Sequence, residues 1–411
     1  MLGAYPTDPL GALADPTPDL EAWREGFRSV GPRTFDRGGE VGRRFHLDAA
    51  AWLEMATIAR TGPVRSLPVS LRPEVADTEL RLPDGNARFA AYVAQDPYVD
   101  AAIVVHRGQI VFEAYPRMEP WQRHFAWSVS KVLASTALGA LVGKGELDPE
   151  RDVTAWLPEL AGTAWAGTSL RDVANMASGI DCLDADGYQT PTTCIYRLEE
   201  ALGITAPTGY DGGLLAHLQA MTRRGPAGVR NEYVSANTVV LGLVLEAVTG
   251  QPFARAVQDL LWGPMGAEAD GLMAISTEGF AYTSSGLHLR LRDLARFGAL
   301  YTQPEISGVL DAAFLADLRG PEGIALDEAQ RTRLAEDFPD DVPVRAAWQW
   351  DLVWEDGALY KGGYSGQGLY VDPARELVIA WFGTGEDYGA RRNVLRSVAR
   401  QLANSGLFDP D

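Results

Sequence analysis

Lysine is nearly missing from this chain. Of 36 basic residues only Lys131, Lys144 and Lys361 are lysines, and the rest are Arg. Arg serves well for solvated charge but does not give up its proton in a protein, whereas an amine can. A lysine kept in so Arg-biased a sequence is a candidate for chemistry. Lys144, between Gly143 and Gly145, reads as a charge at a helix C-terminus. That leaves Lys131 and Lys361.

Cysteine is also scarce. There are two, Cys182 and Cys194, with no CxxC and too few clustered Cys and His positions for a zinc site. No metal is expected. Two free thiols in a reducing cytosol is the simpler expectation, and a local disulfide pinning the 182–194 loop is the sharper one. A thiol count under denaturing, non-reducing conditions separates them. Long apolar runs are missing too: the longest, Val132 to Val142, is far short of a bilayer span. The first residues, MLGAYPTDPLGALADPTPDLEAW, lack the basic start and apolar core of a signal peptide. The expected location is therefore the cytoplasm, with no membrane partner. Positive charge is outnumbered, 36 Lys and Arg against 55 Asp and Glu, for a net charge of −19. Such a field repels nucleic acid and anionic surfaces. No P-loop or dinucleotide fingerprint occurs, so no cofactor is expected.

What is present is a globular composition, 46% hydrophobic and 22% charged over 411 residues. Residues 1–90 are rich in Pro, Gly and Arg, and read as an extension packed on the body with one helix over 48–60. AAIVVHR (101–107), Gly108 and QIVFEAY (109–115) read as a hairpin of β-branched strands. A helix is expected over 129–142, ended by Gly143. The stretch 145–285 reads as helical, with apolar helix spacing over 168–180 and 238–250. Helix 291–301 precedes strands over 346–354, 368–373 and 376–383, and helix 391–404 closes the chain. The expected class is α+β: an antiparallel sheet from N- and C-terminal segments, flanked by helices, with an inserted helical domain. The expected division is an extension 1–90, a sheet domain of 91–144 plus 286–411, and a helical domain 145–285, with the active site between the last two.

Three short segments carry chemistry. The first is Ser128-Val129-Ser130-Lys131. Positions i and i+3 share a helix face, so hydroxyl and amine can meet. A helix N-terminus and a desolvated pocket both disfavour the ammonium, and a neutral Lys131 can take the Ser128 proton. With these residue counts, chance gives only about 0.1 Ser-x-x-Lys occurrences in such a chain. The second is Tyr233-Val234-Ser235-Ala236-Asn237, where a phenol near an ammonium can serve as a base. The third is Lys361-Gly362-Gly363-Tyr364-Ser365-Gly366-Gln367 between two strands. Gly-rich backbone there can offer an N–H to an oxyanion and let substrate come close. A Ser-His-Asp mechanism is the competitor, but there are only five His and no G-x-S-x-G; GYSGQ around Ser365 misses it by one residue.

These segments, in this order, resemble the serine β-lactamase and penicillin-binding-protein superfamily, marked by Ser-x-x-Lys, Tyr-x-Asn or Ser-x-Asn, and Lys-Thr-Gly. The resemblance extends through WSVSKVLASTALGALVGKGELDPERDVTAWLPEL, YVSANTVVLGLVLEAVTGQPF and GQGLYVDPARELVIAWFG, and covers about 95–400. It is similar to the class C β-lactamase-like branch, and within that to 6-aminohexanoate-dimer hydrolase-like proteins and family VIII-type esterases. The resemblance implies that Ser128 is the nucleophile, Lys131 its proton partner and Tyr233 the acid or base serving the leaving group. It also implies an oxyanion hole from the backbone N–H groups of Ser128 and Tyr364 beside Gly363, with Lys361 adding positive potential behind Tyr233. Trp127, Ile180, Asp181, Ser235 and Tyr364 are pocket candidates.

Two departures point away from β-lactams. Ser235 stands where class C enzymes have Asn, and the third segment reads Lys-Gly-Gly rather than Lys-Thr-Gly. The expected activity is hydrolysis of a small ester or amide through an acyl-enzyme, by a monomer or homodimer. Acyl transfer by the same intermediate is the neighbouring alternative. A β-lactamase, a DD-peptidase or a non-catalytic ligand-binding relative is more remote.

Overall fold

The computed structural model describes residues 20–31, 39–210, 212–303, 308–385 and 390–409. In chain order the early strands are β1 (Met55–Ile58), β2 (Glu79–Leu80), β3 (Ala87–Arg88), β4 (Val99–His106), β5 (Gln109–Ala114) and β6 (His124–Phe125). The later ones are β7 (Gly271–Ala274), β8 (Leu287–Leu289), β9 (Ile324–Ala325), β10 (Arg345–Ala347), β11 (Trp350–Val353), β12 (Leu359–Gly363), β13 (Gln367–Asp372) and β14 (Leu377–Gly383).

The main sheet has eight strands in the order β5-β4-β14-β13-β12-β11-β10-β9, and its paired strands run antiparallel. An antiparallel sheet often leaves one face wet and then alternates apolar with polar residues. This one does not. Leu377, Ile379 and Trp381 of β14 enter one core, while Val378, Ala380 and Phe382 enter the other. Both faces are covered, which is why the strands read as unbroken apolar runs. The helix Leu291–Thr302 lies on one face so closely that a Cβ on Gly298 would stand 2.5 Å from Val378 Cγ1. The helix Ala390–Ala403 sends Leu395, Val398 and Leu402 into the other core. Along the β5 edge runs the segment 68–72. Val69 makes a parallel bridge to Ile110, and the N–H groups of Ser70 and Arg72 donate to Ile110 and Val111 carbonyls at 2.8 and 2.9 Å.

A second sheet, in the order β1-β7-β8-β6, was not anticipated. The helix expected over 48–60 is not there. The helix runs Gly39–Asp48, a single 3₁₀ turn follows over Ala49–Ala51, and Met55–Ile58 is a strand pairing with Gly271–Ala274. The Ala-rich run favours helix locally, but a distant strand claims its end, and pairing overrides propensity. The helical reading of 145–285 hid β7 for the same reason. Within 168–180 only Leu170–Ala174 is helical, opened by a Ser169/Asp172 capping box. The strand expected over 346–354 is two strands, β10 and β11, turned by Trp348 and Gln349 at φ +46° and +69°.

Cys182 and Cys194 form a disulfide, the sharper of the two expectations. Among the described residues no single helix is long and apolar enough to cross a membrane.

Candidate active site

The Ser-x-x-Lys segment straddles a change of helix type. Trp127–Ser130 is a 3₁₀ turn, and Lys131–Gly143 continues as an α-helix. Thirteen mostly small and apolar residues let this helix bury itself among its neighbours, and Lys131 goes in with it, fully buried. Ser128 stays half-exposed at the turn. Lys131 Nζ donates to Ser235 Oγ and to the Ser284 carbonyl, both at 2.8 Å; neither contact is to Ser128 Oγ. Burial, reinforced by the nearby Lys361 and opposed by Asp184, Asp351 and Glu199, lowers its pKa to about 7.

Ser235 opens the helix Ser235–Thr249, with Tyr233 two residues before it. Its Oγ donates to Asp184 Oδ2 at 2.6 Å, and its N–H donates to Asp184 Oδ1 at 2.7 Å. Asp184 also donates its own N–H to the Tyr233 carbonyl at 3.1 Å, and accepts the Tyr188 hydroxyl. One buried carboxylate thus fixes both the Tyr-x-Ser segment and the lysine's partner. Two residues earlier, Cys182 ties this segment to the first residue of the helix Cys194–Ala201. That helix carries Glu199, whose carboxyl burial raises to about 7 although it accepts the Tyr282 hydroxyl at 2.7 Å.

Tyr233 lies beside two amines, with Lys131 Nζ 5.3 Å and Lys361 Nζ 4.7 Å from its ring centroid. Lys361 Nζ donates to the Tyr233 hydroxyl at 3.1 Å. It also pairs directly with Asp351 Oδ1 at 2.6 Å, while Asp351 Oδ2 accepts the Gly362 N–H at 3.0 Å. The β11–β12 register pairs Leu352 with Tyr360, which sets Asp351 opposite Lys361. β12 approaches the Ser128 turn through Gly363, where a Cβ would stand 2.7 Å from the Ala126 carbonyl oxygen. Only a residue without a side chain permits that approach. Tyr364 follows, its turn held by Gln367 Nε2, which donates to the Tyr364 and Gly383 carbonyls at 3.1 and 2.6 Å. Ser365 completes the turn at φ +60°.

The structure therefore brings Ser128, Lys131, Tyr233, Ser235, Lys361 and Gly363 into one neighbourhood with Tyr364. Trp127 is buried, its indole turned away from solvent and edge-on to Tyr364 at 5.5 Å between ring centroids. Ile180 is wholly buried and pairs its backbone with Arg223. Asp181 is half-exposed and faces Arg224 at 3.7 Å. The carboxylate this segment sends to the site is Asp184, three residues on. Asp184, Asp351 and Glu199 escaped sequence reasoning. For Asp351 a signal existed: a lone acid inside the apolar run WQWDLVW. Asp184 sits among several acids in DCLDADGY and has no such mark.

Among the described residues one trio, Cys182, Cys194 and His217, places metal-ligating atoms within 4.8 Å of one another. Both sulfurs are spent in the disulfide, which leaves one nitrogen, too little to hold an ion.

A sequence model of the beta-lactamase family matches residues 86–404. The 6-aminohexanoate-dimer hydrolase of Paenarthrobacter ureafaciens is 28% identical over 97% of this chain and 98% of its own length. Esterase EstB of Burkholderia gladioli is 30% identical over 38% of this chain and 39% of its own. A solved Bacillus anthracis protein, provisionally named as a 6-aminohexanoate-dimer hydrolase, superposes with a TM-score of 0.74 at 22% identity, covering 89% of this chain and 93% of its own. With the family's sequence model spanning most of the chain and the fold shared as well, the chain belongs to the beta-lactamase family of serine hydrolases.

Proposed function

We propose that this protein hydrolyses a small linear amide or a short-chain ester, with Ser128 as nucleophile, Lys131 as the base that activates it and Tyr233 as the acid that serves the leaving group. The observation that carries the reading is how Lys131 is held. A neutral amine has two hydrogens and one lone pair. Both hydrogens find acceptors, the Ser284 carbonyl and a Ser235 Oγ whose own proton goes to Asp184. What remains is the lone pair, and it is the group able to take the proton of Ser128, on the next turn. Near pH 7 burial leaves much of the amine neutral.

Ser128 Oγ then attacks the carbonyl carbon, and its proton passes to Lys131. The oxyanion is met by the backbone N–H groups of Ser128 and Tyr364. Tyr233, polarised by the Lys361 ammonium on its hydroxyl, protonates the departing amine or alkoxide. Water repeats the sequence in reverse to release the acid.

Linear substrates are favoured over β-lactams by what is already occupied. The Ser235 hydroxyl donates to Asp184, and Lys361 is paired with Asp351, so neither waits for a substrate carboxylate or amide. The relative named for the 6-aminohexanoate dimer supports the amide half of the reading, and the esterase the ester half.

The test is a panel of p-nitrophenyl esters, linear amides and nitrocefin, with Ser128→Ala in parallel. Ester or amide turnover far above nitrocefin turnover is expected, falling at least about a thousandfold in Ser128→Ala. A folded Ser128→Ala variant with wild-type turnover would end this assignment. Nitrocefin turned over as fast as the best ester would overturn the substrate class.

A further inference from the structure

The nucleophile follows a residue held in an unusual backbone conformation. Trp127 has φ +46°, the left-handed region that bulky side chains rarely occupy. Nothing in its own chemistry favours that conformation, so its surroundings must hold it there. One hold comes from a part of the chain outside the family match at 86–404. His46, on the helix Gly39–Asp48, accepts the Trp127 indole N–H on Nε2 at 2.6 Å, and both rings are buried. The other ring nitrogen, Nδ1, lies 2.5 Å from the Gly42 carbonyl. A carbonyl accepts only, so Nδ1 carries the hydrogen and Nε2 is the lone pair. His46 is neutral in this arrangement, and burial, with His124 beside it, lowers its pKa to about 3. The helix is pinned in turn by Arg43, which donates to Asp100 Oδ1 at 2.5 Å and to the Pro97 carbonyl at 2.9 Å. Asp100 also holds His124, the first residue of β6, at 3.1 Å.

The geometry points to His46 as a positioning residue for the reaction: by holding the Trp127 indole it fixes the direction of the Ser128 backbone N–H and the seat of Tyr364. The indole stands between the two groups. Its backbone leads straight into Ser128, and its ring meets Tyr364 edge-on at 5.5 Å. Phe45 on the same helix adds a second wall, 6.4 Å from the indole centroid. A displacement of the indole would therefore move both oxyanion donors at once. This inference rests on the assignment of Ser128 and Tyr364 made above.

The test compares His46→Leu, which fills the space but accepts no hydrogen bond, with His46→Gln, which restores an acceptor. Each is measured for kcat and KM on a p-nitrophenyl ester, for the rate of fluorophosphonate adduct formation on Ser128 by intact mass, and for its melting curve. His46→Leu should lose on the order of tenfold to a hundredfold in kcat and in adduct rate, with KM little changed, because the loss falls on transition-state geometry. His46→Gln should recover most of it. A purely structural role would lower the melting temperature without that kcat-selective loss and rescue. Should His46→Leu fail to fold, Trp127→Phe deletes the same hydrogen bond from the other side and should show the same loss. A folded His46→Leu or Trp127→Phe variant that forms the Ser128 adduct at the wild-type rate overturns the positioning role and leaves Ser128 as nucleophile. An adduct mapped to any other residue in the wild type overturns the assignment of the site, and the positioning role with it.

Discussion

The two buried lysines of the site both lie near one phenol ring, and they are held in opposite ways. Lys361 touches its carboxylate, Asp351, at 2.6 Å. Lys131 reaches its carboxylate only through a hydroxyl, Lys131 to Ser235 to Asp184, with hydrogen bonds of 2.8 and 2.6 Å. A direct ion pair favours the ammonium, and inserting a neutral relay weakens that preference while keeping the amine aimed. On the proposed mechanism the same residue type serves as a standing charge at Lys361 and as a proton carrier at Lys131. Burial lowers the Lys131 pKa, and the intervening Ser235 keeps its carboxylate at one remove.

The sharpest way to test this contrast is to replace each lysine with Arg, which keeps the charge and cannot cycle a proton. Lys131→Arg should lose nearly as much ester turnover as Lys131→Ala, on the order of a thousandfold or more. Recovery of more than about a tenth of the wild-type rate would remove Lys131 from the proton path. Lys361→Arg should be far milder, within about tenfold of wild type, because only positive potential is asked of it. Equal losses at the two positions would abolish the distinction.

Tyr233→Phe comes next. It removes the hydroxyl that accepts from Lys361 and leaves the ring beside both amines. The melting curve should be unchanged and kcat should fall on the order of a hundredfold. An intact kcat would shift the leaving-group proton onto Lys131. Asp351→Asn is a smaller change. It breaks the direct pair while keeping an acceptor near Lys361, and should lower kcat about tenfold with little effect on KM. A kcat at the wild-type value would show that Lys361 needs no fixed partner.

The smallest effect is on the pH profile. With Lys131 near 7, kcat/KM should rise as pH increases through about 7, because the free base is the active form. Glu199 favours the ammonium of Lys131, so Glu199→Gln removes that influence and the acid limb should move to lower pH. The plateau rate should change less than about threefold. Steady-state kinetics from pH 5 to 9 read both values. A limb that moves to higher pH would assign it to another group.

How much of this was legible depended on the reach of each signal. Ser128, Lys131, Tyr233 and Lys361 stand in short segments whose spacing points to chemistry, so the sequence offers them as candidates, and the structure gathers Lys131 and Lys361 at the Tyr233 ring. Of the main-sheet strands, β4, β5, β13 and β14 were legible for a related reason, since burial on both faces leaves dense apolar runs; β9 and β12 were not read, and Lys361-Gly362-Gly363 lies inside β12 rather than between two strands. Partners chosen by tertiary contact were not. Asp184 and Asp351 matter because of what lies opposite them, and His46 because a helix from the extension lands behind Trp127. The strand Met55–Ile58 was misread because its partner, Gly271–Ala274, is far along the chain. The split of β10 from β11 turned on two residues with positive φ that no local rule demands of Trp or Gln.

The segment 68–72 along β5 has a bearing on how the protein is handled. It satisfies backbone groups at one end of an eight-stranded sheet, and it lies before the residues of the family match. A chain trimmed to the matched boundary would keep the sheet and lose this selvage. The bared edge would then be an open template for other strands, and such edges stick to one another. Insolubility of a trimmed chain would report this missing border together with the loss of β1 and of the helix Gly39–Asp48.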